Sequence, residues 1–148
     1  MKEGQLVAIW IKRGKLGPMD PARSATAKAN LGLVGNANQG GSRQVTVIEE
    51  EVFQKVSELL HKDVDPSVRR ANLLVRGVDL QESRGRILQV GSMRLQILGE
   101  TRPCERMEQA VSGLRSALSP DWRGGVYGTV LNDAELEVGD PVFWAAEA

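Results

Sequence analysis

Several short segments of this chain carry apolar residues in patterns that are typical of β-strands. The pattern predicts strands over residues 5–12, 44–48, 72–76, 78–80, 86–90, 94–98, 126–131 and 141–144. In the first of these, Val7, Ile9 and Ile11 share one face while the opposite face is also apolar, which indicates a strand buried on both sides. The segments on either side of Gly91-Ser92 are spaced as a hairpin.

Three further segments predict helices. Residues 49–61 carry apolar side chains at helical spacing, with acidic residues at the start where the helix dipole favours them. A second amphipathic helix is predicted from about residue 105 to 118, ending near Pro120. Asp20-Pro21 is a helix-start signal, so a short helix is predicted over residues 20–30. Residues 32–42, rich in glycine and asparagine, are predicted to be a loop that is either a mobile surface segment or a close approach to a ligand.

The order of these elements predicts one mainly β domain. Short strands at close spacing with turn residues between them are typical of a barrel or a sandwich. Two or three α-helices would cap it. A length of 148 residues fits a single domain over residues 1–148.

Composition and charge narrow the partners that we expect. The formal net charge is zero, so neither nucleic acid nor an anionic membrane is an expected partner. The one cysteine excludes an internal disulfide. Residues 1–13 lack the pattern of a signal peptide, and no apolar run is long enough to span a bilayer. These features predict a cytoplasmic protein.

Cys104 is the strongest candidate for chemistry. It lies between a predicted strand that ends near Leu98 and a predicted helix that begins near Glu105, so it should lie at a helix N-terminus, where a thiolate is stabilised. Arg102 and Arg106 would add positive charge, whereas neighbouring glutamates oppose it. The alternative is that Cys104 is a small buried apolar residue, as single cysteines commonly are.

Other catalytic and metal sites have little support in the sequence. A cysteine–histidine hydrolase would need His61, the only histidine, to fold against Cys104, and the spacing gives no reason to expect that. One cysteine and one histidine cannot build a structural zinc site. A single thiolate can still bind a metal that arrives within its own cofactor.

Several segments taken together resemble the MOSC family, named for the C-terminal domain of molybdenum cofactor sulfurase. The match runs through residues 31–35, 43–49, 69–80, 102–104, 123–126 and 138–142. The combination of an Arg-x-Asn block, then Pro-Cys, then Arg-Gly-Gly carries most of the resemblance.

The resemblance implies a closed or partly open β-barrel related to the barrel domain of pyruvate kinase. It implies that Cys104 carries sulfur as a persulfide, received from a pyridoxal-phosphate-dependent cysteine desulfurase or another sulfur donor. In the molybdenum branch, which includes the mitochondrial amidoxime-reducing component, the matching cysteine is instead a ligand of molybdenum in a bound pterin cofactor. Arg70 and Asn72 match the pair that contacts this cofactor, and Arg43 and Arg102 are further candidates for binding it.

One segment departs from the family pattern. Many relatives have Gly-Asp-Arg where this chain has Gly35-Asn36-Ala37. The loss of a carboxylate and a guanidinium from the predicted ligand loop counts against cofactor binding. Three functions are therefore carried forward: a sulfur carrier, a molybdenum cofactor oxidoreductase that reduces N-hydroxylated compounds, and a non-enzymatic binding module on the same barrel.

Overall fold

The arrangement of strands and helices is described for residues 3–146 by a computed structural model of the chain. The strands are β1 Gly4–Lys12, β2 Met19–Ala22, β3 Ser24–Lys28, β4 Gly32–Leu33, β5 Val45–Glu49, β6 Leu73–Arg76, β7 Ile87–Val90, β8 Met93–Glu100, β9 Val126–Val130, β10 Ala134–Glu137 and β11 Pro141–Trp144. The α-helices are α1 Glu50–Leu60, α2 Glu105–Ala110 and α3 Leu114–Leu118. Single 3₁₀ turns span Pro66–Arg69 and Pro120–Trp122.

Seven strands close into a barrel in the order β1-β6-β5-β9-β8-β7-β11, because β11 pairs back onto β1. The pair β5–β6 is parallel and the other neighbours are antiparallel. Strand β2 pairs with β1 outside the closed ring, and β10, β3 and β4 form a separate small sheet. This confirms the prediction of a mainly β fold with a closed or partly open barrel and two or three helices: the barrel is closed, and the described residues form three short α-helices.

The alternation along each strand divides the apolar residues between two cores. On β5, Val45 and Val47 face the interior of the barrel, while Ile48 faces the three helices, where it packs with Phe53 and Leu114. Both cores are almost completely excluded from solvent, so the hydrophobic effect holds the helices against one side of the barrel.

Strand β1 is buried on both faces as predicted, but its faces are divided differently. Strict alternation would put Leu6 and Ile9 on opposite faces of the strand. In the structure both side chains belong to the barrel core, and Ala8 packs toward the helices. The cause is an irregularity in the pairing with β6 between Leu6 and Ala8, because an extra residue in one strand reverses the faces of the residues beyond it.

The predicted helix over residues 20–30 is wrong, because this segment forms β2 and β3. Its small side chains offer little apolar area for a helix to bury, whereas pairing with β10 buries Ala27 completely. Asp20 does not start a helix, since its carboxylate accepts two hydrogen bonds from Arg13 across the β1–β2 hairpin, each 2.9 Å long. The partner strand β10 was not predicted.

Two other predictions need correction. Residues 78–80 are a loop in which Val78 and Leu80 are buried by packing, and no strand pairs with them in the described structure. The helix predicted over residues 105–118 is divided into α2 and α3 at Gly113, whose φ of 88° lies in the left-handed region. The Glu108 carboxylate caps this break by accepting a hydrogen bond from the Gly113 N–H at 2.8 Å.

The loop over residues 32–42 is partly ordered by burial. It begins with β4, and the Asn36 side chain within it is only 4% exposed.

Among residues 3–146, no helix combines the length and the hydropathy that are needed to cross a membrane.

We predict that Gly125→Ala destabilises the barrel by about 3 kcal/mol in urea unfolding. Gly125 has a φ of 96°, and an added Cβ would lie 2.3 Å from the Val47 carbonyl oxygen. Gly139→Ala is the matched control, because its φ is 101° but no atom lies within 4 Å of its added Cβ. The control should cost about 1 kcal/mol, and equal losses in the two variants would show that the close approach is unimportant.

Stability should also depend on Glu49, which ends β5 and precedes α1. Burial raises the pKa of Glu49, a hydrogen bond from the Leu80 N–H lowers it, and the nearby charges of Asp79 and Glu51 raise it, so that it is about 7. A folded-state pKa above the unfolded value means that folding favours the protonated form. The wild type therefore loses stability as the pH rises from about 4.5 to about 7 and is level above that.

We predict that Glu49→Gln removes this loss, because glutamine keeps an acceptor for Leu80 and carries no charge. The variant should match the wild type near pH 4.5 and exceed it by about 1–2 kcal/mol above pH 7, after allowance for solvent screening. Urea unfolding over that pH range measures the difference. A difference that does not change with pH would contradict the assignment.

Candidate functional site

Cys104 lies exposed at the position immediately before α2. Its backbone is extended, with φ of −130° and ψ of 179°, and its carbonyl accepts the first helical hydrogen bond, from Met107, at 2.9 Å. The predicted position at a helix start is therefore confirmed, and the alternative of a buried apolar cysteine is wrong. Because α2 has only six residues, its dipole contributes little, and the surrounding charges decide how the thiol behaves.

The guanidinium of Arg69, which the sequence patterns did not single out, is a positive charge that interacts with Cys104. Arg69 ends the 3₁₀ turn before β6 and is partly buried. Burial lowers the pKa of Arg69, the negative charge of the Cys104 sulfur raises it, and the charge of Arg43 lowers it. Its guanidinium remains charged at physiological pH in any case.

Arg69 has no acidic partner in the part of the chain that the structure describes. Its Nε donates a hydrogen bond to the Gly124 carbonyl at 2.9 Å, and no carboxylate forms an ion pair with it. A charge removed from water without a counter-ion is costly. An anionic sulfur on Cys104 would supply the missing counter-ion.

The turn at Gly124-Gly125 holds Arg69 and the cysteine segment together. The Gly124 carbonyl also accepts a hydrogen bond from the Thr101 hydroxyl at 2.6 Å, and the Thr101 N–H donates to the Gly125 carbonyl at 2.8 Å. A Cβ on Gly124 would lie 2.2 Å from the Thr101 carbonyl oxygen. Only glycine therefore permits the chain leading to Cys104 to pack this closely beside Arg69.

A second group of positive charges lies at the end of β1. We define the cationic cluster as Lys12, Lys15, Arg70 and Arg106. Burial lowers the pKa of Lys12, and the charges of Arg70, Arg106 and Lys15 lower it further, in that order. Arg106 follows Cys104 by two residues, so the cluster and the cysteine belong to one face of the barrel.

Arg70 is the predicted cofactor-binding residue that lies in this cluster. Its backbone is left-handed, with φ of 62°, and its Nη2 donates to the Gly17 carbonyl at 2.6 Å. This contact ties the guanidinium to the β1–β2 hairpin and leaves its other N–H groups for an anion.

Asn72, the other member of the predicted pair, is engaged within the protein. Its Oδ1 accepts from the Thr46 N–H and hydroxyl at 3.1 and 3.3 Å. Its Nδ2 donates to the Trp10 carbonyl at 3.1 Å and to the Asn36 Oδ1 at 3.0 Å. The side chain is 5% exposed and has used its hydrogen-bonding capacity, so it is not available to a ligand in this conformation.

Asn36 explains the segment that departs from the family pattern. Its Oδ1 accepts from the Lys12 N–H at 2.9 Å as well as from Asn72, and its Nδ2 donates to the Gln44 carbonyl at 3.4 Å. The side chain therefore connects the loop to β1 and to the residue that precedes β6 from a buried position. Ala37 beside it is exposed and offers no group to a ligand.

The remaining candidates have exposed side chains. The guanidinium of Arg43 stacks over the Tyr127 ring, 4.8 Å from its centroid. Arg102 has a side chain that is 85% exposed and pairs with Glu100 at 3.8 Å. His61 is exposed at the C-terminal end of α1, and no hydrogen bond between it and Cys104 occurs within residues 3–146.

Some of these residues carried a sequence signal and others did not. The double glycine of residues 124–125 was visible as part of a motif, and Arg69 adjoined the predicted Arg70. Lys12 could be recognised only as a lysine at the end of a buried strand. Across residues 3–146, no three His, Cys, Asp or Glu side chains are grouped as metal ligands would be.

Similar folds occur among solved structures. The crystal structure of YuaD from Bacillus subtilis is 17% identical, with a TM-score of 0.79 over 95% of this chain and 94% of that chain. YiiM from Geobacillus stearothermophilus and YiiM from Escherichia coli are each 16% identical, with TM-scores of 0.76 and 0.72. They cover 97% of this chain in both cases and 75% and 71% of their own lengths. At these identities the likeness establishes the fold alone.

Sequence comparison identifies the family. No protein of curated function matches the chain significantly. The family model of the MOSC domain matches residues 32–143, which is well over half of the sequence and includes the segment that carries Cys104. The chain therefore belongs to the MOSC domain family.

Proposed function

We propose that this MOSC domain is a sulfur carrier that accepts a sulfane sulfur on Cys104 as a persulfide and passes it to an acceptor. The observation that carries the proposal is an exposed thiol beside a partly buried guanidinium, that of Arg69, which has no carboxylate partner in the described structure. The guanidinium is a fixed positive charge with which an anionic sulfur species could pair.

The transfer needs no base, metal or external oxidant. The Cys104 thiolate attacks the outer sulfur of a donor persulfide, and a new sulfur–sulfur bond forms as the bond in the donor breaks. The donor cysteine leaves as a thiolate with the electron pair of that bond. The proton on the transferred sulfur moves with it or is lost to water. An acceptor thiolate then attacks the outer sulfur of the Cys104 persulfide in the same way, and Cys104 leaves as a thiolate.

Arg69 contributes charge rather than proton transfer. A persulfide is an anion at neutral pH, as the attacking thiolate is, so a fixed guanidinium stabilises both the entering and the loaded state. The hydrogen bond to the Gly124 carbonyl keeps that guanidinium in place. We expect the donor to be a cysteine desulfurase or another carrier of sulfane sulfur, because the exposed position of Cys104 is open to a large partner.

A molybdenum cofactor oxidoreductase is the second candidate. MOSC domains are associated with this cofactor, and the cationic cluster has the charge to bind the phosphate of a pterin. Asn72 does not fit this role, because its side chain is buried and fully hydrogen-bonded, and Arg102 pairs with Glu100 instead. The predicted set of cofactor-binding residues is thus incomplete in this structure.

A non-enzymatic binding module is the third candidate. We expected such a module to have a buried cysteine that resists alkylation. Cys104 is exposed, so the feature that would favour this candidate is not found.

We predict that incubation with a cysteine desulfurase and cysteine adds the mass of one sulfur atom to the wild type and none to Cys104→Ser. Intact-mass spectrometry measures the addition, and a reductant should remove it. Equal addition to both proteins would contradict the proposal. So would an unloaded wild type that binds one equivalent of molybdenum through Cys104 when it is expressed in a cofactor-competent host.

We predict that Arg69→Gln slows alkylation of Cys104 by iodoacetamide at neutral pH about tenfold, because a charge that stabilises the thiolate is lost. Arg69→Lys should restore part of the rate. Arg102→Gln is the matched control, since this exposed arginine lies closer in sequence but is paired with Glu100, and it should change the rate less than about twofold. Equal effects at the two positions would exclude a special role for Arg69.

A further inference from the structure

A cavity lies between the start of β1, the loop after β6, the start of β7 and the end of β11. Among the described residues, its lining includes neither the segment around Cys104 nor the cationic cluster. Its volume is about 730 Å³, within the range of small-molecule sites. We call it the β11 cavity, and the residues that matter for its chemistry are Val78, Asp79, Arg86, Val142, Phe143 and Trp144.

One wall of the β11 cavity is apolar and aromatic. Val142 and Val78 are buried at its base, with 0% and 8% of their surfaces exposed. Phe143 remains 37% exposed, which is unusual for so large an apolar side chain, and Trp144 follows it on β11. A planar aromatic ligand would cover this exposed apolar area.

Arg86 supplies the one positive charge of the β11 cavity among the described residues. Its guanidinium lies over the Trp144 ring, 4.2 Å from the centroid. Within residues 3–146 it forms no ion pair and its side chain donates no hydrogen bond to the protein. Stacking fixes the plane of the guanidinium, so its N–H groups are oriented to bind a carboxylate with two hydrogen bonds.

The wall opposite β11 is held in place before any ligand binds. The loop after β6 is anchored by a hydrogen bond of 2.7 Å from the Gly77 N–H to the Glu51 carboxylate. The Ser83 hydroxyl closes the loop by donating to the Leu80 carbonyl at 2.8 Å. A preformed site loses little conformational entropy on binding.

The charges around the β11 cavity restrict the ligand to one negative charge. Asp79 and Glu3 lie at its exposed rim and carry the opposite charge to Arg86. A ligand with a single carboxylate can pair with Arg86, whereas a nucleotide or another multiply charged anion would be repelled by the two rim carboxylates.

We propose that the β11 cavity binds a planar aromatic monocarboxylate, with its ring against Phe143 and Trp144 and its carboxylate on Arg86. The site is separate from Cys104 and does not depend on the sulfur-carrier proposal.

The test is a titration of the isotope-labelled full chain with naphthoate, followed by amide and indole resonances. We expect saturable shifts of the Trp144 indole N–H and of residues 77–81, and none at residues 101–104. Naphthylmethanol, which has the same ring without the charge, should bind the wild type at least about tenfold more weakly, since one charged hydrogen-bonded contact is worth about that much.

Arg86→Gln should weaken naphthoate binding to the same extent, and Arg84→Gln, at an exposed arginine two residues away, should leave it unchanged. The comparison of naphthoate with naphthylmethanol uses only the wild type, so it stands even if a variant folds poorly. Naphthoate that fails to saturate, shifts centred on the Cys104 face, or equal binding of the acid and the alcohol would each overturn the proposal.

Discussion

The carbonyl group of Gly124 is the contact on which the arrangement around Cys104 depends. It accepts one hydrogen bond from the Arg69 guanidinium and one from the Thr101 hydroxyl, and so joins the entry to β6 with the exit from β8. Cys104 is three residues beyond Thr101. The geometry that sets a positive charge beside a thiol is therefore a property of the barrel backbone, and it needs neither a long helix nor a bound metal.

The same barrel separates two surfaces with different chemistry. One surface, around the end of β1 and the start of α2, carries the cationic cluster and Cys104, and it suits reactive anions. The other, around the start of β7 and the end of β11, carries two aromatic side chains and a single stacked arginine, and it suits a flat apolar acid. Because both surfaces lie outside the tightly packed barrel core, side chains in either can change without altering the architecture.

Local patterns predicted a mainly β domain, a barrel or a sandwich, and the place of Cys104, whereas the choice of a barrel came from the resemblance to the MOSC family. Alternation marked the buried strands, and the cysteine lay between a strand and an amphipathic segment. The strands β2 and β3 were missed because Asp20-Pro21 resembles a helix start, and only the contact with Arg13 and the pairing with β10 overrule it.

Among the site residues, the sequence could not distinguish neighbouring residues whose side chains differ only in the direction in which they point. Arg69 and Arg70 are adjacent, yet the left-handed backbone at Arg70 sends one toward the cysteine segment and the other toward the β1–β2 hairpin. Asn72 matched a cofactor-binding pair, but its four hydrogen bonds became visible only in three dimensions. Long-range packing decides which polar residues face a ligand, and periodicity along the chain does not contain that information.

A crystal structure of the protein after treatment with a sulfane sulfur donor tests the central claim most directly. We predict a second sulfur atom bonded to Cys104 Sγ, within hydrogen-bonding distance of the Arg69 guanidinium, while Arg69 still donates to the Gly124 carbonyl. An unmodified Cys104 that packs against aliphatic side chains, with Arg69 turned away from it, would contradict the account.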